Sequence, residues 1–297
     1  MANNVSEFIK KIMGINYDDK KYIYVYRGHA NSAWELEPSI YRPTKLIKNE
    51  HNLFDDCIIA KPVEFGECRY TVDYLAKMQH YGLPTRLLDV TYDPLVALFF
   101  VVQDRNKKMN GEVICLKIPK EMVKSYSSDT VSILANTAKL KYARSSYKIP
   151  DDKDCLRARR GQCSCSSNPN YCKLRCDKFY EEEKNESIHY LQYEINSEKP
   201  HFKKMINPVD INSVVCVQAK LQSPRIINQS GLFLLFGIGE NNKKMPQIQP
   251  DWVESKIIIP SGKKKTIVDE LKRLKISSSF VYPELPNVIE EIKKRYK

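Results

Sequence analysis

Apolar positions recur along this chain with two periods, and the switches between them outline the elements. SEFIKKIMG (6–14) sets Phe8, Ile9 and Ile12 on one side at helical spacing, with Gly14 as the stop. KYIYVYRG then alternates as a strand ending at Gly28. Ile23, Val25 and Arg27 fall on one face and Tyr22, Tyr24 and Tyr26 on the other. WELEPSIYRP reads as extended chain broken by Pro38 and Pro43. From about Phe65 to Gln79 the period returns to helical, with Val72, Leu75, Ala76 and Gln79 in register and Gly82 as terminator. TRLLD is a short strand. Asp93 and Pro94 then form a cap and first-turn pair for a helix from Pro94 to about Gln103, apolar on nearly every side and so expected at the centre of the fold.

Further on, GEVICLKI reads as a strand and SSDTVSILANTAKL as a capped helix with Val131, Leu134, Ala135 and Ala138 inward. Residues 141–183 lose periodicity and turn charged and Cys-rich, which marks an insertion. NESIHYLQYEIN resumes a helix. INSVVCVQAK, GLFLLFG, SKIIIP and SSSFVYP are strand candidates, and SGKKKTIVDELKRL and LPNVIEEIKKRYK close as helices. The order is not a regular strand–helix alternation. It predicts a single α+β domain over 1–297, with a mixed sheet, flanking helices and the Cys-rich insertion inside it.

Charge adds a preference for anions. The 297 residues carry a net charge of +12, which favours polyanions and anionic ligands, nucleic acid among them. Much of it sits in lysine runs such as GKKKT, read as solvated faces. The opening MANNVSEFIKKIMG lacks a continuous apolar signal core, and the longest apolar run, Leu95 to Val102, is too short for a bilayer. A cytoplasmic protein without a membrane partner is the expectation. Cys57, Cys68, Cys115 and Cys216 are scattered and read as small apolar residues.

The chain lacks GxGxxG after a strand, GxxxxGK[ST], HExxH and GxSxG. Its candidate chemistry lies elsewhere. Arg27, on the apolar face of a strand, needs either a buried partner such as Asp89 or a bound phosphate or ribose, which its fork of donors would hold. Gly28 would let a ligand approach the backbone. Gln79, His80, Tyr81, Thr85, Arg86 and Asp89 crowd into eleven residues beside a buried helix, and such groups are satisfied by one another or by a ligand. Asp89 has a second reading as the partner of Arg27 or Arg86. Gln229, ahead of Gly231, is either a ligand-positioning amide or a turn residue. Cys163, Cys165, Cys172 and Cys176, with Cys155 upstream, could supply four thiolates to a tetrahedral Zn2+, though their spacing is irregular.

YVYRGHANSAWELEPSIYR, KMQHYGLPTRLLDVTYDPLVALFF and PRIINQSGLFLLFG, in that order, resemble the FRG family, with Tyr26 in place of the signature Phe. That family resembles the ADP-ribosyltransferase fold. The resemblance implies an NAD-using protein, a toxin or phage-defence effector that modifies a macromolecule, protein or nucleic acid, and the basic charge favours a nucleic-acid acceptor. By it, Arg27 is the first-motif arginine, Thr85 to Asp89 takes the second-strand place, and Gln229 lies where a third motif is expected. Transferases of this fold usually carry a Glu in that third motif, and NQSG has none. Arg27, His80 and Asp89 are the catalytic candidates, with Asp89 as the acid. An NAD glycohydrolase and a non-catalytic nucleotide- or nucleic-acid-binding module are the alternatives.

Overall fold

The computed structural model describes residues 1–42, 44–103, 108–141, 186–203, 206, 211–218, 220, 223–239, 245–293 and 296. The helices are α1 (Val5–Met13), α2 (Thr44–Lys48), α3 (Glu50–Ala60), α4 (Thr71–His80), α5 (Pro94–Val102), α6 (Asp129–Asn136), α7 (Glu186–Glu198), α8 (Pro224–Asn228), α9 (Lys264–Arg273), α10 (Ser278–Val281) and α11 (Leu285–Lys293). The strands are β1 (Tyr22–His29), β2 (Leu87–Thr91), β3 (Gly111–Pro119), β4 (Val123–Ser125), β5 (Val214–Gln218), β6 (Gly231–Phe236) and β7 (Val253–Ile259). They form one mixed sheet in the order β4-β5-β6-β2-β1-β3-β7, parallel only between β4 and β5. The chain is α+β, as its pattern predicts. The insertion, with Cys155, Cys163, Cys165, Cys172 and Cys176, lies outside the described residues apart from Lys141. Among the described residues no group of His, Cys, Asp or Glu is placed to hold a metal, and no helix is long and apolar enough to cross a membrane.

Side-chain alternation sorts the core. Tyr24 and Tyr26 pack with Ala97 and Leu98 of α5. Leu87 packs with Leu75 and Met78 of α4. Tyr26 pairs with Thr91 across β1 and β2, and directly paired residues share a face, so these two clusters lie on the same side of the sheet. Val25, Leu88, Val90 and Ile114 form the core of the other side. The site lies on the helical side, between the two clusters.

Two glycines let α5 sit close to the sheet. A Cβ on Gly28 would stand 2.0 Å from the Ala97 carbonyl oxygen, and one on Gly111 2.3 Å from a Val101 methyl. A helix of this chain therefore approaches the Gly28 backbone closely, and Gly28 also lines the cleft described below. Asp93 caps α5 as read from the sequence, accepting from Leu95 N at 2.7 Å. Gly82 ends the turn after α4 with a φ of 92°, in the left-handed region that glycine adopts without strain.

Four local expectations are corrected. The helix expected from about Phe65 starts at Thr71, where Asp73 turns back to accept from Tyr70 N at 3.1 Å. Pro62–Phe65 is a separate 3-10 turn, and α3 had no reading in the sequence at all. SSSFVYP contains the four-residue helix α10 instead of a strand. Its run is too short for period to distinguish the two. In the GKKKT run, Lys264 is fully buried and donates to the Ala30 carbonyl at 2.6 Å.

His29 and Glu112 face each other at 3.4 Å, both buried, across β1 and β3. Burial pushes the His29 pKa below its ordinary 6.5; Glu112 opposes this, and Arg27 and Arg42 add to it. The unfolded chain then binds a proton near pH 6.5 that the folded chain binds only at lower pH. Stability contributed by neutral His29 is present above pH 6.5 and is lost as pH falls from there toward the folded value. We expect the melting temperature to drop on acidification below pH 6.5, with a shallower drop in His29→Gln. Identical slopes in the two proteins would refute this assignment.

Candidate active site

A cleft of about 480 Å³ opens between α4 and the C-terminal end of α5. That is the size of a small-molecule site. Its floor includes Asp89, Thr91, Gly231 and Phe233, and its rim carries Gln79, His80, Tyr81, Lys220, Arg225 and Gln229.

Arg27 reaches this cleft because the sheet opens there. β1 and β2 pair only through Tyr26 and Thr91. Continued ladder pairing would bring Gly28 opposite Asp89. Instead the Asp89 carbonyl accepts from Arg27 NH1 at 2.7 Å. The same nitrogen lies 3.7 Å from the Asp89 carboxylate. Arg27 Nε is buried and has no hydrogen-bond partner among the described residues. Burial pushes the guanidinium below its ordinary pKa, Asp89 raises it, and Arg42 lowers it further. The result is a cation fixed at the cleft and only partly compensated.

Asp89 is not the buried partner that the sequence suggested, since its side chain is 52% exposed. Gln79 Nε2 donates to its Oδ1 at 2.9 Å, and the Thr85 hydroxyl donates to Gln79 Oε1. Thr85 thus acts on the site through Gln79 and does not line the cleft. Arg86 does not reach it either. Its Nε donates to Glu50 Oε1 at 2.9 Å, its NH2 meets the other Glu50 oxygen, and NH1 donates to the Phe236 and Gly237 carbonyls at 3.1 and 3.2 Å. Burial lowers the Arg86 pKa, but Glu50 more than offsets this and the net direction is upward. All three nitrogens of that fork have acceptors inside the protein and Arg86 does not line the cleft, so the side chain is engaged in an internal ion pair. Tyr81, 70% exposed, stands at the rim.

Gln229 approaches from the late segment as expected, but its amide nitrogen donates to the Val281 carbonyl at 3.0 Å. Asn228 likewise donates to Phe280 O at 2.9 Å. The segment around α10 is therefore tied to α8. It brings two residues that the sequence reading did not single out. Tyr282 lies under the Arg225 guanidinium, 4.9 Å from ring centre to Cζ, and its hydroxyl donates to Gln103 at 3.0 Å. Glu284 Oε1 meets His80 Nε2 at 3.0 Å and Arg225 at 3.9 Å. Burial would raise the Glu284 pKa, but the His80 bond, its own backbone amide and Arg225 hold it below the usual carboxylate range. No local motif signals Glu284, which stands 204 residues from His80.

Residues 22–110 match the family model of the FRG domain. Arg27 and the stretch from Gln79 to Asp89 lie inside this match, whereas Arg225, Gln229 and Glu284 lie beyond it. No curated protein and no solved structure matches the chain.

Proposed function

We propose that the cleft binds NAD and that the protein is an ADP-ribosyltransferase-type enzyme acting on a macromolecule. The observation that carries this reading is Arg27, a partly compensated guanidinium that lines a cleft of nucleotide size. Such a group suits a phosphate, whose oxygens accept two parallel bonds from the fork. The reaction class comes from the resemblance of the FRG pattern to the transferase arrangement. Breaking the nicotinamide–ribose bond develops positive charge on the ribose, and a nearby carboxylate stabilises it. NQSG supplies none, and among the acids lining the cleft Asp89 is the one beside Arg27, oriented by Gln79. Holding the two halves of NAD against fixed groups supplies the rest by orientation.

Mixing the protein with NAD separates this reading from its rivals. Release of nicotinamide that depends on added DNA, RNA or protein is the expected result. Release with water alone would make it a glycohydrolase. No release in any mixture would refute enzymatic NAD use and leave a nucleotide- or nucleic-acid-binding module.

A further inference from the structure

We infer that His80 and Glu284 form a proton-accepting pair at the rim of the cleft, and that the group receiving ADP-ribose is consequently one that loses a proton as it attacks, a hydroxyl or an N–H group. This rests on the NAD reading above. The Glu284 carboxylate is fixed from several sides. Oε1 takes His80 Nε2 at 3.0 Å with Arg225 at 3.9 Å, and Oε2 accepts from Asn287 at 3.3 Å. An ionised carboxylate can only accept, so the proton on that side of the imidazole sits on Nε2, and Nδ1 is the nitrogen with a free lone pair. His80 is the last residue of α4 and lines the cleft. Positive charge formed on its ring faces both the carboxylate and the negative end of a helix.

This arrangement selects an acceptor. A neutral hydroxyl attacks poorly unless its proton leaves as the new bond forms. In the step inferred here, the acceptor oxygen or nitrogen bonds to the ribose C1′. The C1′–nicotinamide bond breaks, with its electron pair staying on the nicotinamide nitrogen, and the acceptor's proton passes to His80 Nδ1. Glu284 touches none of the reacting atoms and is a positioning residue. A thiolate or carboxylate acceptor would bring no proton to remove and would gain nothing from the pair.

The test is Glu284→Gln in the full chain, which keeps the shape and removes the charge. Glu284 is about one-third exposed, so the variant should remain folded. Turnover should fall about 10- to 100-fold, the usual cost of losing a partner that orients a functional histidine. KM for NAD should stay within about twofold, because ground-state binding is untouched. Glu284→Asp should recover part of the loss. His80→Gly should be inactive and regain turnover with added imidazole, and the product should carry an O- or N-glycosidic link, or be free ADP-ribose if water is the acceptor. Unchanged turnover in Glu284→Gln, failure of imidazole rescue, or a thiol- or carboxylate-linked product would overturn the pair while NAD use itself stood. A wild-type protein that releases no nicotinamide would overturn both.

Discussion

Replacing Glu50 with glutamine should lower the melting temperature by roughly 5–15 °C while leaving the cleft chemically intact per folded molecule. Arg86 and Glu50 are both buried, and two of the guanidinium nitrogens meet the two carboxylate oxygens. Removing the negative charge leaves a cation in the core with neutral acceptors alone, the Gln amide oxygen and the Phe236 and Gly237 carbonyls. Breaking a buried pair from one side costs about 3–5 kcal/mol, and each kcal/mol shifts the midpoint by a few degrees at this size. The pair joins the start of α3 to β2 and the end of β6, so its loss loosens the wall behind the cleft before the cleft itself. Removing both charges, as in Glu50→Gln with Arg86→Met, should be milder than Glu50→Gln alone, because no unpaired ion remains. A single variant that melts within about 2 °C of wild type would show that Arg86 does not depend on Glu50. An equally severe double variant would place the cost in packing.

The sequence made most of the sheet legible and little of the pairing between distant polar groups. β1, α5 and β3 announce themselves because their periods are long and their apolar faces complete, and Asp93–Pro94 fixes where α5 begins. α3 has no such signal. Its apolar residues scatter around the helix, and only Phe54 and Glu50 are buried. Consequently the partner of Arg86 could not be named, and Arg86 read as a ligand group. A local reading sees that Gln79, His80, Thr85, Arg86 and Asp89 must be satisfied. It does not see which are satisfied by residues 36 to 204 positions away. Glu284 is the clearest case. NQSG lacks an acid and Asp89 is the carboxylate near at hand in sequence, whereas the fold brings a second carboxylate to His80 from the far end of the chain. Gly28 was read correctly as a site of close approach, but the approaching group is the Ala97 carbonyl. Glycine in a strand signals proximity and carries no information about what comes near.

Replacing Arg27 with methionine should abolish NAD binding, or reduce turnover at least about a hundredfold, without lowering the melting temperature. The two outcomes together distinguish a ligand group from a structural one. Among the described residues Arg27 makes a single hydrogen bond, to the Asp89 carbonyl, and its nearest carboxylate oxygen is 3.7 Å away. Its buried Nε has no partner among them. Burial disfavours its charge and Arg42 repels it. Such a side chain contributes little to holding β1, whose eight residues remain fully paired to β3. An apolar side chain of similar length removes the desolvation cost of the cation, while water can reach the half-exposed Asp89. The folded state should therefore be unchanged or slightly more stable. Arg27→Lys keeps the charge but loses the fork, so it should bind NAD more weakly than wild type and better than the methionine variant. Isothermal titration with NAD and a thermal melt on the same three proteins decide the matter. If Arg27→Met binds NAD as wild type does, the cleft holds its ligand some other way. If it melts several degrees lower with NAD affinity intact, Arg27 is a strut between β1 and β2, and the anion site must be sought at Arg225 or Lys220.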